Sequence, residues 1–309
     1  MFTTVIVGVR DVAHAHDAVS LARGLAPQSE LHLVHAYPHE PVAWTEAKPW
    51  RAMLGKGADR LLHDVARDMG VEAGLRAIPD VSPARALQAA AHELRADLIV
   101  VGSSHRNPIG RLLAGSVARG TLSGAPCPVA VASRGYEEKP FGVIGVGFDE
   151  SPEARIALRI AARLARRAGA RLRIVQAVSP PLEVVAPMYP VTYASHEWDA
   201  YGEREIAMAR EVVEGAAADL GPDLVASGEV ALGRARKELT ALSEDVDLLV
   251  MGSRGWGPAR RVLLGGTSHH LVHHAACPVL VVPRGAEDAE EPVAPTVDTT
   301  ARGGRVSAE

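Results

Sequence analysis

Two cysteines in 309 residues, Cys127 and Cys277, provide neither a disulfide framework nor a C-x-x-C redox pair. Each stands alone in a Cys-Pro-Val segment and reads as a small buried hydrophobe. Aromatic residues make up only 4% of the chain and the net charge is −4, so there is no basic stripe interleaved with rings to follow a phosphodiester backbone. Nucleic acid is therefore not an expected partner. No apolar stretch approaches the ~18 uninterrupted residues of a membrane span. The opening MFTTVIVGVR has neither a basic leader nor a small-residue cleavage site, and the expectation is a soluble, cytoplasmic chain without a membrane contact.

Several catalytic signatures are also missing. There is no G-x(4)-G-K-S/T loop to bring a lysine and a magnesium-binding hydroxyl to a triphosphate. Nor is there a G-x-S-x-G nucleophile elbow or an H-E-x-x-H metal helix. An enzyme is not expected, although slow hydrolysis of a bound nucleotide stays an alternative.

What the chain does contain is itself, twice. Residues 96–135 align without a gap on 246–285, with 16 of 40 positions identical, including Asp97/Asp247, Gly102/Gly252, Ser103/Ser253, Gly115/Gly265 and Cys127/Cys277. VIVGVRD (5–11) likewise matches IGVGFDE (144–150), and LHLVHAY (31–37) matches LRIVQAV (172–178). A unit of roughly 140 residues is a domain, far too long for a solenoid repeat. Two domains are placed at 1–136 and 140–285, separated by the polar RGYEEKP segment, and residues 286–309, acidic and poor in large apolar groups, read as a disordered tail.

In each copy apolar runs alternate with helical patterns. Strands are expected near 3–9, 31–37, 72–78, 97–102 and 128–133, with helices near 15–26, 53–69, 83–94 and 115–123. In the second copy strands are expected near 142–148, 171–178, 223–230, 247–252 and 278–283, with helices near 152–168, 197–219, 233–244 and 266–275. LIVVG and LLVMG are apolar throughout, as strands covered on both faces should be. The pattern predicts an α/β fold, parallel sheets flanked by helices on both sides.

Ligands of such sheets bind beyond the carboxyl ends of the strands, where strand order reverses. After its fourth strand the second copy reads Gly252-Ser-Arg-Gly255, then nine residues, then Gly265-Gly266-Thr267-Ser268 opening a helix. Glycines admit phosphate oxygens to backbone N–H groups, and a helix start adds further donors and a favourable dipole.

On these residues the chain resembles the universal stress proteins, whose ATP-binding members carry G-x-x-G-x(9)-G-S/T. The resemblance spans almost all of both copies, including the strand-four D-L-x-V-x-G-S and the A-P-C-P-V or A-A-C-P-V close. It implies two tandem open sheets, each of five parallel strands in Rossmann-like order 3-2-1-4-5. It implies a regulatory, stress-response module that binds ATP, with Mg2+ accompanying it, and whose occupancy a protein partner reads. AMP or a cyclic nucleotide is the alternative ligand.

Carried over position by position, the resemblance assigns Asp149 to the adenine and backbone near Ala177 to the rest of the base pocket. Gly252, Arg254, Gly255, Gly265 and Gly266 are assigned to ribose and phosphates, with Thr267 and Ser268 beside them. Gly266 stands where the family has Ser or Thr, so a hydroxyl is lost. In the first copy the corresponding residues are Asp11, Ala36, Gly102, His105, Gly115 and Ser116, but Arg10 occupies the place of the strand-one Asp and His105 that of a loop glycine. A weaker or differently selective first site is expected. Pairing through the fifth strands, 129–133 and 279–283, into an intramolecular pseudo-dimer is also implied, with a homodimer as a further possibility. His269, His270, His273 and His274 form two i, i+4 pairs, but no acid or thiol follows at ligand spacing, and no metal site is assigned.

Overall fold

A computed structural model of the chain describes residues 2–38, 47–103, 112, 114–179, 195–253 and 265–284. The first half runs β1 (Thr4–Gly8), α1 (Val12–Leu25), β2 (Glu30–Tyr37), α2 (Ala47–Asp68), β3 (Ala73–Pro79), α3 (Pro83–Leu94), β4 (Leu98–Gly102), α4 (Ser116–Leu122) and β5 (Val129–Ala132). The second repeats it as β6 (Val143–Gly147), α5 (Pro152–Ala168), β7 (Arg171–Val178), α6 (Ser195–Ala218), β8 (Ala226–Leu232), α7 (Ala235–Leu242), β9 (Leu248–Gly252), α8 (Gly266–His274) and β10 (Val279–Val282).

Each half keeps the order 3-2-1-4-5, but the two sheets are one. Their strands run β3-β2-β1-β4-β5-β10-β9-β6-β7-β8, parallel within each half and antiparallel only where β5 meets β10. The join satisfies two apolar edges that would otherwise present unpaired backbone groups. Val131 lies opposite Val279, Ala130 opposite Leu280, and Val129 opposite Val281. Because residues 129–132 correspond to 279–282 in the repeat, the local twofold axis passes through the Ala130–Leu280 pair.

Alternation along the central strands builds a core on each face of the sheet. Val5, Val7, Leu98, Val100 and Leu280 point to the side covered by α1, α2, α5 and α6. Ile6, Ile99, Val101, Val129 and Val279 point to the side of α3, α4, α7 and α8. Both cores continue across the β5–β10 join, and each fully buried Val or Leu contributes about 1.5–3 kcal/mol. Cys127 and Cys277 lie in the second core, where burial pushes both thiols up to about 12.

Asp97 and Asp247, invariant between the two copies, tie the fourth strand of each half to its first. The Asp97 carboxylate accepts from Thr3 N and Oγ1, both at 2.6 Å, and from Thr4 N at 3.0 Å. Asp247 accepts from Gly142 N at 2.8 Å and Val143 N at 3.0 Å, and pairs with Lys139. Burial works against the Asp247 charge, but Lys139 and the two N–H groups outweigh it and hold the carboxyl below its ordinary range. The segment between the halves is pinned at both ends, by Lys139 to Asp247 and by Gly135 N to Asp17 Oδ1 at 3.1 Å.

Three element boundaries differ from the sequence expectation by three residues or more, the first being helix α2, which begins at Ala47, not near 53. Helix α1 begins at Val12, not near residue 15, because Asp11 caps it by accepting from His14 N at 3.0 Å. Strand β8 begins at Ala226, not 223. The chain is still turning through Gly221, at φ 84°, and Asp223 is drawn to Arg166. Among the described residues no helix is long and apolar enough to cross a membrane. The tail, 286–309, lies outside the described residues.

Candidate functional site

In the second half the first strand ends at Gly147, and Asp149 follows two residues later at the carboxyl edge of the sheet. Its Oδ1 accepts from Ser151 N at 3.2 Å and from Ser151 Oγ at 2.6 Å. Ser151 in turn caps α5, its Oγ accepting from Ala154 N at 3.2 Å. Asp149 is thereby fixed to the start of a 17-residue helix. Between the two, Glu150 takes a left-handed φ of 61°, and its carbonyl is held by Arg155 Nε at 3.0 Å. The turn costs strain that this bond and the cap offset.

The other wall comes from β9 and α8. Ser253 N donates to Val282 O and Gly265 N donates to Ser253 O, both at 2.7 Å, so the end of β9 and the start of α8 are joined directly. Ser268 Oγ donates to Gly252 O at 2.8 Å. Its hydroxyl proton is committed to bracing the helix on the strand, so Ser268 is a positioning residue. Gly265 has no side chain with which to cap α8, whose first-turn N–H groups face the same edge. An added Cβ at Gly266 would meet none of the described residues within 4 Å.

Packing gives Gly252 a reason to be glycine that holds with or without a bound phosphate. A Cβ there would fall 2.8 Å from Glu153 Cβ and 3.0 Å from Ala154 N. Close packing of α5 on β9 demands the glycine. Asp149, Ala177, Gly252, Thr267 and Ser268 line one cavity of about 140 Å3, with Leu239 and Met251 as its apolar side. Arg254 and Gly255 lie outside the described residues.

In the first half the equivalent edge is built otherwise. Asp11 caps α1 and also grips the same helix through His14 Nδ1 at 2.7 Å. It is a helix-start carboxylate, not one of the residues lining the cavity. Arg10, two residues after Gly8 as Asp149 is after Gly147, does line it, together with Ala36, Gly102, Gly115 and Ser116. His105 lies outside the described residues. This cavity is the larger, about 820 Å3, and falls within the ~300–1,000 Å3 range of small-molecule sites.

Its lining includes His14, His35 and Arg119, which were not singled out from sequence, and His273, which was weighed there only as a metal ligand. His273 belongs to the second half. It arrives because the last turn of α8 is bound to the first half, Val272 O accepting from Ala114 N at 2.8 Å and Ala275 O from Leu112 N at 2.9 Å. On α8 the rings of His269 and His273 are 4.8 Å apart, and those of His270 and His274 4.3 Å. Burial, then the neighbouring histidines with Arg236 or Arg119, hold His270 and His273 below the ordinary imidazole value. Among the described residues no group of three or more His, Cys, Asp or Glu is placed to hold a metal ion.

The model of the universal stress protein family matches residues 1–133 and again 140–283. A universal stress protein of Mycobacterium tuberculosis (strain CDC 1551 / Oshkosh) is 34% identical over 174 residues, 52% of this chain and 54% of that protein. Another, of Mycobacterium tuberculosis (strain ATCC 25618 / H37Rv), is 37% identical over 142 residues, 46% of this chain and 47% of its own length. The matched stretches thus span about half the length of these curated relatives. Among solved structures, a universal stress protein from Archaeoglobus fulgidus DSM 4304 superposes with a TM-score of 0.66 at 18% identity, covering 91% of this chain and 98% of that one.

Proposed function

We propose, from the premise that this chain belongs to the universal stress protein family, that it is a cytoplasmic regulatory module whose second half binds ATP. The observation that carries the reading is convergence. Asp149, Ala177, Gly252 and the opening of α8 meet in one cavity at the carboxyl edge of a parallel sheet. The residues fit the parts of the ligand. The Asp149 carboxylate accepts from an exocyclic amine, Leu239 and Met251 face the base, and the N–H groups opening α8 suit phosphate oxygens. Mg2+ would come with the triphosphate and offset its charge.

The module binds rather than turns over its ligand, and a protein partner reads the difference between filled and empty states. Native mass spectrometry of the full chain tests this directly. Retained ATP that is lost in Asp149→Ala supports the reading, and retention unchanged by that substitution places the nucleotide elsewhere. The small second-half cavity and the missing hydroxyl at Gly266 also favour a second ligand reading, AMP or a cyclic nucleotide, which the retained mass distinguishes.

A further inference from the structure

The first-half cavity differs from its counterpart in the sign of its chemistry. Where the second half presents the Asp149 carboxylate, the first presents the Arg10 guanidinium. A carboxylate accepts from an amine, whereas a guanidinium only donates. Arg10 is 73% exposed at its side chain, and among the described residues its one ion pair is a 3.8 Å approach to Asp11. Such an exposed contact is weak and holds the guanidinium loosely.

We propose that the first-half cavity is a second nucleotide site, selective for a guanine-type base over adenine and completed by His273 of the second half. The inference rests on the reading that the edge cavities of this fold take nucleotides. Guanine offers two acceptors, O6 and N7, on one edge, and arginine matches them with two parallel donors. Adenine offers an amine at the first of these positions, which arginine cannot satisfy. His35 adds the complementary contact. Its Nδ1 lies 2.9 Å from Val9 O, a carbonyl that only accepts, so Nδ1 carries a proton there and, whenever the ring holds a single proton, Nε2 is left as an acceptor. Arg119 and His273 line the same cavity. No carboxylate lines this cavity at all among the described residues, which suits an anionic ligand.

Calorimetric titration of the full chain with GTP and, separately, ATP tests the assignment. Arg10→Ala is expected to weaken GTP binding about ten-fold or more and to leave ATP unchanged. Asp149→Ala is expected to do the reverse, and His273→Ala to weaken GTP binding while sparing ATP. Arg10 is exposed, and a melting curve matching the parent chain checks that the variant folds. GTP affinity unmoved by Arg10→Ala overturns the proposal, as does competition of GTP with ATP for one site governed by Asp149. ATP binding without GTP binding overturns the guanine site alone. Absence of both overturns it together with the reading it rests on.

Discussion

The two halves share strand order, helix placement and the Asp97/Asp247 brace, yet they differ at one turn. From Gly8 the first half reaches its helix through Val9, Arg10 and the cap Asp11. From Gly147 the second takes Phe148, Asp149 and the left-handed Glu150 before the cap Ser151. Moving the cap by one residue changes what the preceding residue is free to do. In the second half Asp149 precedes the turn and faces a cavity. In the first the nearest carboxylate is the cap itself, and an arginine faces the cavity. A single-residue shift in a helix start therefore separates two chemistries on a common frame.

The comparison is broken most strongly at the join. Leu280→Ala removes a fully buried side chain beside Ala130 and is expected to cost about 2–5 kcal/mol in urea unfolding. Ala130→Leu overpacks the same place at about 1–3 kcal/mol. The double exchange is expected to recover part of both losses. Strict additivity of the two costs would show that the residues do not share one space.

Next in size is the close approach of helix to strand. Gly252→Ala places a Cβ against Glu153 Cβ and backbone and is expected to lower stability by about 1–3 kcal/mol. Gly102→Ala meets the His14 carbonyl oxygen at 3.1 Å and, among the described residues, its next neighbours only at 3.9 Å, and is expected to cost less. Equal shifts in melting temperature would mean that α1 and α5 sit on their strands in the same way.

Acid should distinguish the halves as well. His270 and His273 titrate below 6.5 in the folded chain, chiefly through burial. The unfolded chain then binds protons first as pH falls, so their contribution is intact above 6.5 and is lost from there down through the depressed values. The first half has Gly120 and Ser123 at these positions. Denaturant midpoints measured across this range are expected to flatten in the His270→Gly, His273→Ser variant, and an unchanged slope would assign acid sensitivity to other groups.

The smallest effect is expected at Gly266→Ser. None of the described residues lies within 4 Å of the added Cβ, so stability should change by no more than about 0.5 kcal/mol. A hydroxyl at the start of α8 should tighten ATP binding by about 0.5–1.5 kcal/mol, measurable by calorimetry. Unaltered affinity would mean that phosphate does not reach this turn.

The repeat, the strands and the carboxyl-edge location of Asp149 were legible because they depend on local pattern. Apolar runs such as LIVVG announce strands covered on both faces, and the Gly-rich segment before α8 announces a helix start. The role of Asp11 was not legible from pattern alone, since capping and ligand contact draw on the same residue type one position apart. Gly252 was read as making room for a ligand, and the structure shows it also making room for α5. The His273 wall could not be reached from either half alone. It depends on how α8 meets residues 112–114, a contact made between segments far apart in the chain.

An axis relating two identical chains must pass between identical side chains, because symmetry allows nothing else there. At the centre of the join this chain sets Ala130 against Leu280. Only a pair of unlike halves is free to do so. Two copies of the second half would bring leucine onto leucine, and two of the first would leave alanine facing alanine across a void. The small-and-large pairing is therefore a contact that unlike halves permit and two copies of either half do not, at the one position where a symmetric assembly has no freedom.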